Sequence, residues 1–465
     1  MNPTPSRTGV QAIPKWERVR LAILCSLLLA CVLGGGASRA DTLSLLFLRP
    51  WAIVCAVALL LLPQWPGLGK ARTPLMFVVA LAALMAVQLV PLPPAIWASL
   101  PGHAQFYEAA SAAGLDQPWR PISVSPDWTL NSLVSLVVPA AALLGLAGTP
   151  SAGSRAILLG ALLLAVLASA VLGIFQFVAG ENSPLYLYRI TNRLAPVGFL
   201  ANRNHQATLL ACAFPLVAAW TALGARARAG PKHGASQVRS LLLLAGGALL
   251  ISVVVLTGSR AGVVLSALGL GAAAFIIRRT GDAKLVQSVP NRWLRLMPVA
   301  LGGLLVALFY GMSRAPSLQR LFAGSVGEDE RLQSLPLLLD ITLRYMPFGS
   351  GFGTFDPVYR IHEPYDRLDQ QYLNHAHNDL VELALTAGVP GLVLVGAFLV
   401  WFARRCWILN RESRPTPALA PALAGAAVLG ILLLASLADY PLRTPLMMMV
   451  GAIAAVWTNN ASSRG

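Results

Sequence analysis

Charge is scarce in this 465-residue chain: 12% of its residues are charged, against roughly 25% in an ordinary soluble domain. Acids are scarcer still, 19 Asp and Glu against 35 Lys and Arg. With 56% hydrophobic residues, the chain cannot be an all-soluble globular protein. The net charge of +16 has a membrane explanation, so a nucleic-acid partner is excluded too: cations collect in the short inner loops of membrane proteins. Cysteine is also sparse. Cys25, Cys31, Cys55, Cys212 and Cys406 lie in or beside apolar runs without metal-type spacing, which excludes a disulfide framework or a cysteine-based zinc site. There is no internal repeat and no stretch that reads as a soluble domain.

What is present in quantity is apolar runs. Measured against a hydrocarbon core of ~30 Å, which needs about 20 helical residues per crossing, they predict an all-α integral membrane protein of about twelve transmembrane helices. The spans fall near 19–37, 45–63, 74–92, 130–148, 156–178, 205–223, 240–257, 261–278, 294–312, 378–403, 417–436 and 443–458. The first reads as a span rather than a cleaved leader, because Leu21–Gly36 is long and a second span follows at once. The second is interrupted by Arg49 and Pro50. With both termini inside, the inner segments hold twenty-one of the 35 cations and three of the 19 acids. Shifting the frame by one helix reverses that asymmetry, against the positive-inside rule.

Two outer segments are long. One, about 93–129, is rich in Pro and Trp; the other, about 313–377 between spans nine and ten, is a polar layer with short helices. In the second, Ser325 and Glu328 fit a capping box. Leu332, Leu335, Leu338 and Leu339 then recur at helical spacing, which predicts an interfacial helix over 331–346. Pro347 ends it, and Gly349, Gly351 and Gly353 read as a flexible hinge.

The polar residues left at the outer helix ends are few. Asn202-Arg203-Asn204-His205-Gln206 opens span six, and Arg260 sits in Thr257-Gly258-Ser259-Arg260-Ala261-Gly262 between spans seven and eight. Arg331 opens the interfacial helix, and Asn374-His375-Ala376-His377-Asn378-Asp379 leads into span ten. Arg260 is the one charge in a tight turn, on the cation-poor side and at a helix N-terminus, where the macrodipole disfavours a cation. An arginine kept there has an anionic partner or snorkels to a lipid head group. Arginines just above an apolar bundle suit a lipid-linked diphosphate, because guanidinium forks bind phosphate oxygens and stabilise a departing diphosphate. No DxD-like carboxylate pair appears in the outer loops to hold a metal. His377 is the natural proton acceptor for a hydroxyl nucleophile, unless it merely caps span ten. His375 and His377 at i, i+2 also fit a zinc site, but no third ligand recurs at metal spacing. Asp379 and Glu382 fit ordinary first-turn acids.

In this order the pieces resemble the O-antigen ligase and polymerase superfamily of bacterial envelope glycosyltransferases, from about Asn202 to Ala403. The matching residues are Asn202-Arg203-Asn204, Gly258-Ser259-Arg260-Ala261-Gly262 and Arg331. They continue with Pro347-Phe348-Gly349-Ser350-Gly351-Phe352-Gly353-Thr354-Phe355, then His375-Ala376-His377-Asn378, Glu382 and Gly388-Val389-Pro390-Gly391. Val90-Pro91-Leu92-Pro93-Pro94 and Trp97 look like exopolysaccharide-type members. The resemblance implies an inverting, metal-independent glycosyltransferase of the bacterial inner membrane with no cofactor. It would take a glycan from undecaprenyl diphosphate on the periplasmic face. Arg260 and Arg331 would grip the diphosphate and His377 would activate the acceptor hydroxyl. Arg203, His375, Asn378 and Asn202 would contact substrate.

Three activities share these motifs: a ligase to lipid A-core, a polymerase joining lipid-linked repeats, and a protein O-glycosyltransferase. The ligase is favoured. A lipid-linked-glycan transporter would also suit twelve helices and a cationic cavity, yet the ionisable residues gather at one face rather than at mid-membrane. The expected organisation is N-terminal helices over 1–200, a catalytic region over 201–410 and two C-terminal helices over 411–465.

Overall fold

The computed structural model describes residues 13–226, 233–280, 326–365, 368, 373–412 and 416–460, and these are almost wholly helical. The chain runs α1 (Lys15–Gly34), α2 (Leu45–Leu61), α3 (Leu68–Gln88), β1 (Pro91–Leu92), α4 (Pro94–Ala98), α5 (Ala104–Ala112) and β2 (Arg120–Pro121). It continues with α6 (Pro126–Ser135), α7 (Val137–Ala147), α8 (Ala152–Ala179), α9 (Arg203–Arg226), α10 (His233–Thr257) and α11 (Arg260–Thr280). After the undescribed stretch come α12 (Val326–Tyr345), α13 (Phe355–His362), α14 (Asp379–Arg411), α15 (Ala420–Ala435) and α16 (Pro445–Thr458).

Seven helical stretches among the described residues are long and apolar enough to cross a membrane: Leu68–Gln88, Pro126–Ala147, Ala152–Ala179, Arg203–Leu223, Arg260–Thr280, Asp379–Arg411 and Pro417–Ala435. Leu45–Leu61, Leu243–Thr257 and Pro445–Thr458 are shorter apolar helices. Helices thus stand at eleven of the twelve expected places, and among the described residues seven stretches meet the length and composition of a crossing. The ninth expected span, 294–312, lies outside the described residues, as does the Ser325–Glu328 capping box. In α2 the interruption is absorbed: Pro50 lies inside the helix, and the Arg49 guanidinium donates to Asn131 Oδ1 on α6 at 2.7 Å.

One helix is central. Within its apolar window α9 is 83% buried, against 22% for α3 and 28% for α11 and α14, which turn much of their apolar surface outward. Small residues let α11 lie close along α9. A Cβ on Gly262 would stand 2.3 Å from the Ala207 Cβ, and one on Gly269 would stand 2.6 Å from the Ala211 carbonyl oxygen. Such small-residue seams are how helices approach closely where no water-driven apolar collapse operates. The pairing Gly262–Ala207 and Gly269–Ala211 makes the two helices parallel, with both N-termini at one end. α1 ends there too, since Leu446 N–H donates to Gly35 O at 2.9 Å and Ala201 N–H to Gly36 O at 3.0 Å.

Above that end the polar layer is pinned down. Segment 91–121 is closed by the β1–β2 pair, and Trp97 Nε1 donates to Pro121 O at 2.7 Å. Helix α12 buries Leu338, Ile341 and Tyr345 with Phe355, Val358 and Tyr359 of α13, while Leu335, Leu339 and Leu343 are exposed. The glycine stretch after it is no hinge. Helix α14 is broken at Gly388 (φ 59°, ψ −152°), which leaves carbonyls without helical partners, and the stretch fills the break. Ser350 N–H donates to Leu385 O and Gly351 N–H to Thr386 O, each at 2.9 Å, and Val389 N–H donates to Pro347 O at 2.8 Å. Gln88 of α3 locks the plug, donating to Thr386 O at 3.0 Å and accepting from Phe352 N–H at 2.9 Å. Ser350 and Thr354 are fully buried.

At Gly388 a side chain has nowhere to go: a Cβ would meet Pro347 O at 2.1 Å, in a left-handed backbone conformation. Gly388→Ala is expected to cost about 2–4 kcal/mol, from strain and overpacking together. At Gly396, on the same helix, a Cβ meets nothing within 4 Å, and Gly396→Ala should be neutral or stabilising by up to about 1 kcal/mol. Thermal unfolding of the two purified variants in detergent checks the contrast.

Candidate functional site

Helix ends supply the candidate site. The N-termini of α9, α11, α14 and α16 and the C-terminus of α15 meet in one region, where Asp379 N–H donates to Ser436 O at 2.8 Å. Helix N-termini favour negative charge, because their first N–H groups lack partners within the helix.

At the centre stand a carboxylate and a tyrosine from the turn between α15 and α16, Asp439 and Tyr440. Both are buried, at 4% and 6% exposure. Asp439 Oδ2 accepts from Asn204 Nδ2 at 2.7 Å and lies 3.5 Å from Asn202 Nδ2. Oδ1 accepts from Tyr440 N–H at 3.0 Å. Two imidazoles approach Oδ1 at ion-pair distance, His205 Nε2 at 3.5 Å and His377 Nδ1 at 3.4 Å, without hydrogen-bond geometry. Burial alone would raise the Asp439 carboxyl, but the charges and hydrogen-bonding capacity of His205 and His377 hold it well below the usual carboxylate range. The Tyr440 ring lies among three imidazoles, with centroids 4.2 Å from His375 and 5.0 Å from His205 and His377. Burial, and next the Asp439 charge, push its hydroxyl up.

A second carboxylate holds the other histidine. His375 Nδ1 lies 3.0 Å from Glu382 Oε1 and 3.2 Å from Oε2, and Ala376 N–H donates to Oε2 at 2.9 Å. Arg443 closes the network: Nε reaches Asp379 Oδ1 at 2.8 Å and Nη1 reaches Glu382 Oε1 at 2.9 Å. Burial would lower the Arg443 guanidinium, but the Glu382 and Asp379 charges raise it. His377 is held in a left-handed backbone conformation (φ 50°), uncommon for a residue with a side chain and a mark of functional sites.

The expected site residues divide as follows. His375 and His377 come together with His205, as do Asn202 and Asn204 through Asp439. Asn378 is the N-cap of α14: its Oδ1 accepts from Leu380 N–H at 3.0 Å and Val381 N–H at 3.2 Å, so any substrate contact rests on its amide nitrogen. Arg203 and Arg260 are half-buried at the first positions of α9 and α11, the end of the bundle that carries the cluster. Gly258 takes the left-handed conformation before Arg260, and Ser259 Oγ caps the turn by accepting from Gly262 N–H at 3.0 Å. Arg331 lies in the first half of α12, and its side chain is outside the described residues. Among the described residues no group of three or more His, Cys, Asp or Glu is arranged to hold a metal ion.

The sequence reading missed Asp439, Tyr440 and Arg443. A signal was present: between Arg414 and Arg464 the only charges are Asp439 and Arg443, four residues apart in a short turn between two apolar helices. The reasoning applied to Arg260 applies equally to them.

Residues 245–396 match the family model described as O-antigen ligase. The resemblance drawn from the motifs is shown on this segment, which runs from within α10 to the second half of α14. It contains Arg260, Arg331, His375, His377 and Asn378; Asn202, Arg203 and the Asp439–Arg443 turn fall outside it. No curated protein matches the chain. The similarity to the O-antigen ligase family is thus carried by about a third of the chain.

Removing Arg443 strands two carboxylates, one of them 1% exposed. Arg443→Ala is expected to destabilise the protein by about 3–5 kcal/mol. Arg443→Lys should recover part of this, because a single ammonium does not span two carboxylates as the fork does. Because the Asp439 carboxyl is held low, its stabilisation is fully present above the ordinary carboxylate range, near pH 4. It is lost as pH falls through the lower native value. Unfolding midpoints of wild type and Asp439→Asn should therefore stay a constant interval apart from neutrality to about pH 4 and converge below it.

Proposed function

We propose that the chain transfers a glycan from undecaprenyl diphosphate to an acceptor hydroxyl on the periplasmic face of the bacterial inner membrane, as an inverting, metal-independent O-antigen ligase. The observation that carries this reading is the imidazole–carboxylate cluster of His375, His377, Asp439 and Glu382, at the end of the bundle where α9, α11, α14 and α16 begin and where Arg203 and Arg260 stand. The family match on residues 245–396 supports it.

In this mechanism His377 is the general base. Its Nδ1 faces Asp439, so the tautomer with the proton on Nδ1 leaves the Nε2 lone pair free, and the carboxylate stabilises the imidazolium that forms. The acceptor oxygen attacks the anomeric carbon as its proton passes to Nε2. The bond from that carbon to the diphosphate oxygen breaks, and the electron pair leaves with the diphosphate. Arg260 and Arg331 take up the charge that develops there, with Arg203 as a further phosphate or glycan contact. His375 on Glu382 and Asn202 on Asp439 shape the acceptor side. Both termini then lie in the cytoplasm, and the acceptor is lipid A-core. A polymerase using a second lipid-linked repeat, or a protein O-glycosyltransferase, would share every step but the identity of the hydroxyl.

Purified enzyme with undecaprenyl-diphosphate-linked glycan and each acceptor in turn is the test. His377→Ala should lose about 10²–10⁴-fold in transfer while still binding donor; full activity would remove the base assignment. Arg260→Ala should abolish transfer without loss of insertion, and Arg260→Lys should rescue it poorly. Asp439→Asn should shift the acid limb of the pH–rate profile to lower pH, since losing the anion favours the neutral imidazole. Transfer should persist in EDTA, and a divalent-ion requirement would contradict the metal-independent step.

A further inference from the structure

We infer a phosphate-binding site at the other end of the bundle, in a small cleft lined by Lys70, Arg155 and Trp457. The cleft lies where α3 and α8 begin and α16 ends, and Thr149, Pro150 and Asn460 complete its wall. Along α16, Trp457 stands twelve residues beyond Pro445, a helical rise of about 18 Å from the end of the helix that adjoins the histidine cluster. The site is therefore separate from the transfer chemistry and independent of it.

Three observations point to a ligand of negative charge. Lys70 and Arg155 line the same small space, both half-buried, and among the described residues no carboxylate lies within ion-pair distance of either. The Glu17 carboxylate acts on Arg155 only from beyond ion-pair distance, accepting from Ser151 N–H at 2.9 Å and Ser154 Oγ at 2.7 Å, and Arg155 itself donates one bond to Pro150 O. Trp457, 2% exposed, has a buried Nε1 with no acceptor. An indole N–H only donates, and a buried donor left unpaired is costly, so the wall lacks an acceptor at that point. Arg405 occupies the Thr458 carbonyl at 3.4 Å, which offsets the negative end of α16 beside the cleft. The cleft is framed as well as charged: Asn459 Nδ2 donates to Lys70 O at 2.8 Å, and Gly67 N–H to Ala147 O at 2.7 Å. A phosphate oxygen would supply what is missing, an acceptor for the indole and a countercharge for two cations. The same chemistry is offered by the phosphodiester of an anionic glycerophospholipid, whose head groups lie at the level where these helices end, and by free phosphate.

The test uses the full chain in a neutral maltoside detergent, with the unfolding midpoint as readout. Phosphatidylglycerol is expected to raise the midpoint by about 3 °C or more at saturation, and diacylglycerol of the same chains to leave it unmoved. Lys70→Gln with Arg155→Gln should abolish the lipid shift. Trp457→Phe, which keeps the ring and removes the N–H, should weaken lipid affinity about tenfold. Inorganic phosphate giving the same shift at matched ionic strength, again lost in the double variant, would support the site and identify free phosphate as its source. A shift from diacylglycerol equal to that from phosphatidylglycerol, a shift that survives in the double variant, or unchanged affinity in Trp457→Phe would overturn the inference.

Discussion

Everything at the candidate site depends on one guanidinium. Asp379 and Glu382 sit in the first turn of α14, where the helix dipole favours acids but burial does not. Two carboxylates one turn apart in an apolar bundle would repel each other and resist losing water. Arg443 resolves both difficulties by bonding one with Nε and the other with Nη1. The consequence is positional. Arg443 lies four residues after Asp439, so anchoring it on α14 brings Asp439 and Tyr440 against the residues just before that helix, His375 and His377. The ion network is the hinge pin between the C-terminal turn and the segment that the family model covers.

The polar layer obeys a related constraint. A helix broken inside an apolar bundle leaves carbonyls that neither lipid nor apolar side chains can satisfy. In α14 the break at Gly388 is tolerated because backbone N–H groups of Ser350 and Gly351, and the Gln88 amide, fill it. The break and its plug are one device, and they fix α12 and α13 above the bundle while Ala376 and Leu385 join their apolar cluster. The imidazoles thus sit between a helix start tied to Arg443 and a layer tied to the break.

Much of this was legible in the sequence, and the failures have physical causes. Apolar runs located the helices well, because burial and lipid exposure both demand apolar residues over a helical length. Their number as crossings was less legible: α2 and α16 are apolar but short, and composition does not say whether a short helix spans or ends within the bundle. Gly349, Gly351 and Gly353 do adopt positive φ, as glycines in a turn should. The expected hinge failed because nothing local shows that the turn's N–H groups meet a broken helix about 35 residues on. His375 and His377 were found because imidazoles at a helix start are conspicuous. Asp439 and Arg443 were missed because the six-residue turn between the spans 417–436 and 443–458 was too short to stand out beside the long outer segments. The expected boundary at residue 410 separates them from the histidines they hold, so the site crosses it.

Buried charges also explain why the cluster suits proton transfer. Asp439 faces His205 and His377 at once, and a carboxylate between two imidazoles is best compensated when one of them carries a proton. His205, 1% exposed and without hydrogen-bond geometry to Asp439, meets little that is mobile. His377 is more exposed and held by a strained backbone, so its ring can meet a substrate on one side and Asp439 on the other. In the proposed mechanism His377 thus has an anion already in place beside its Nδ1. That asymmetry between two imidazoles sharing one carboxylate arises from packing depth rather than residue type, and it favours His377 over His205 as the proposed base.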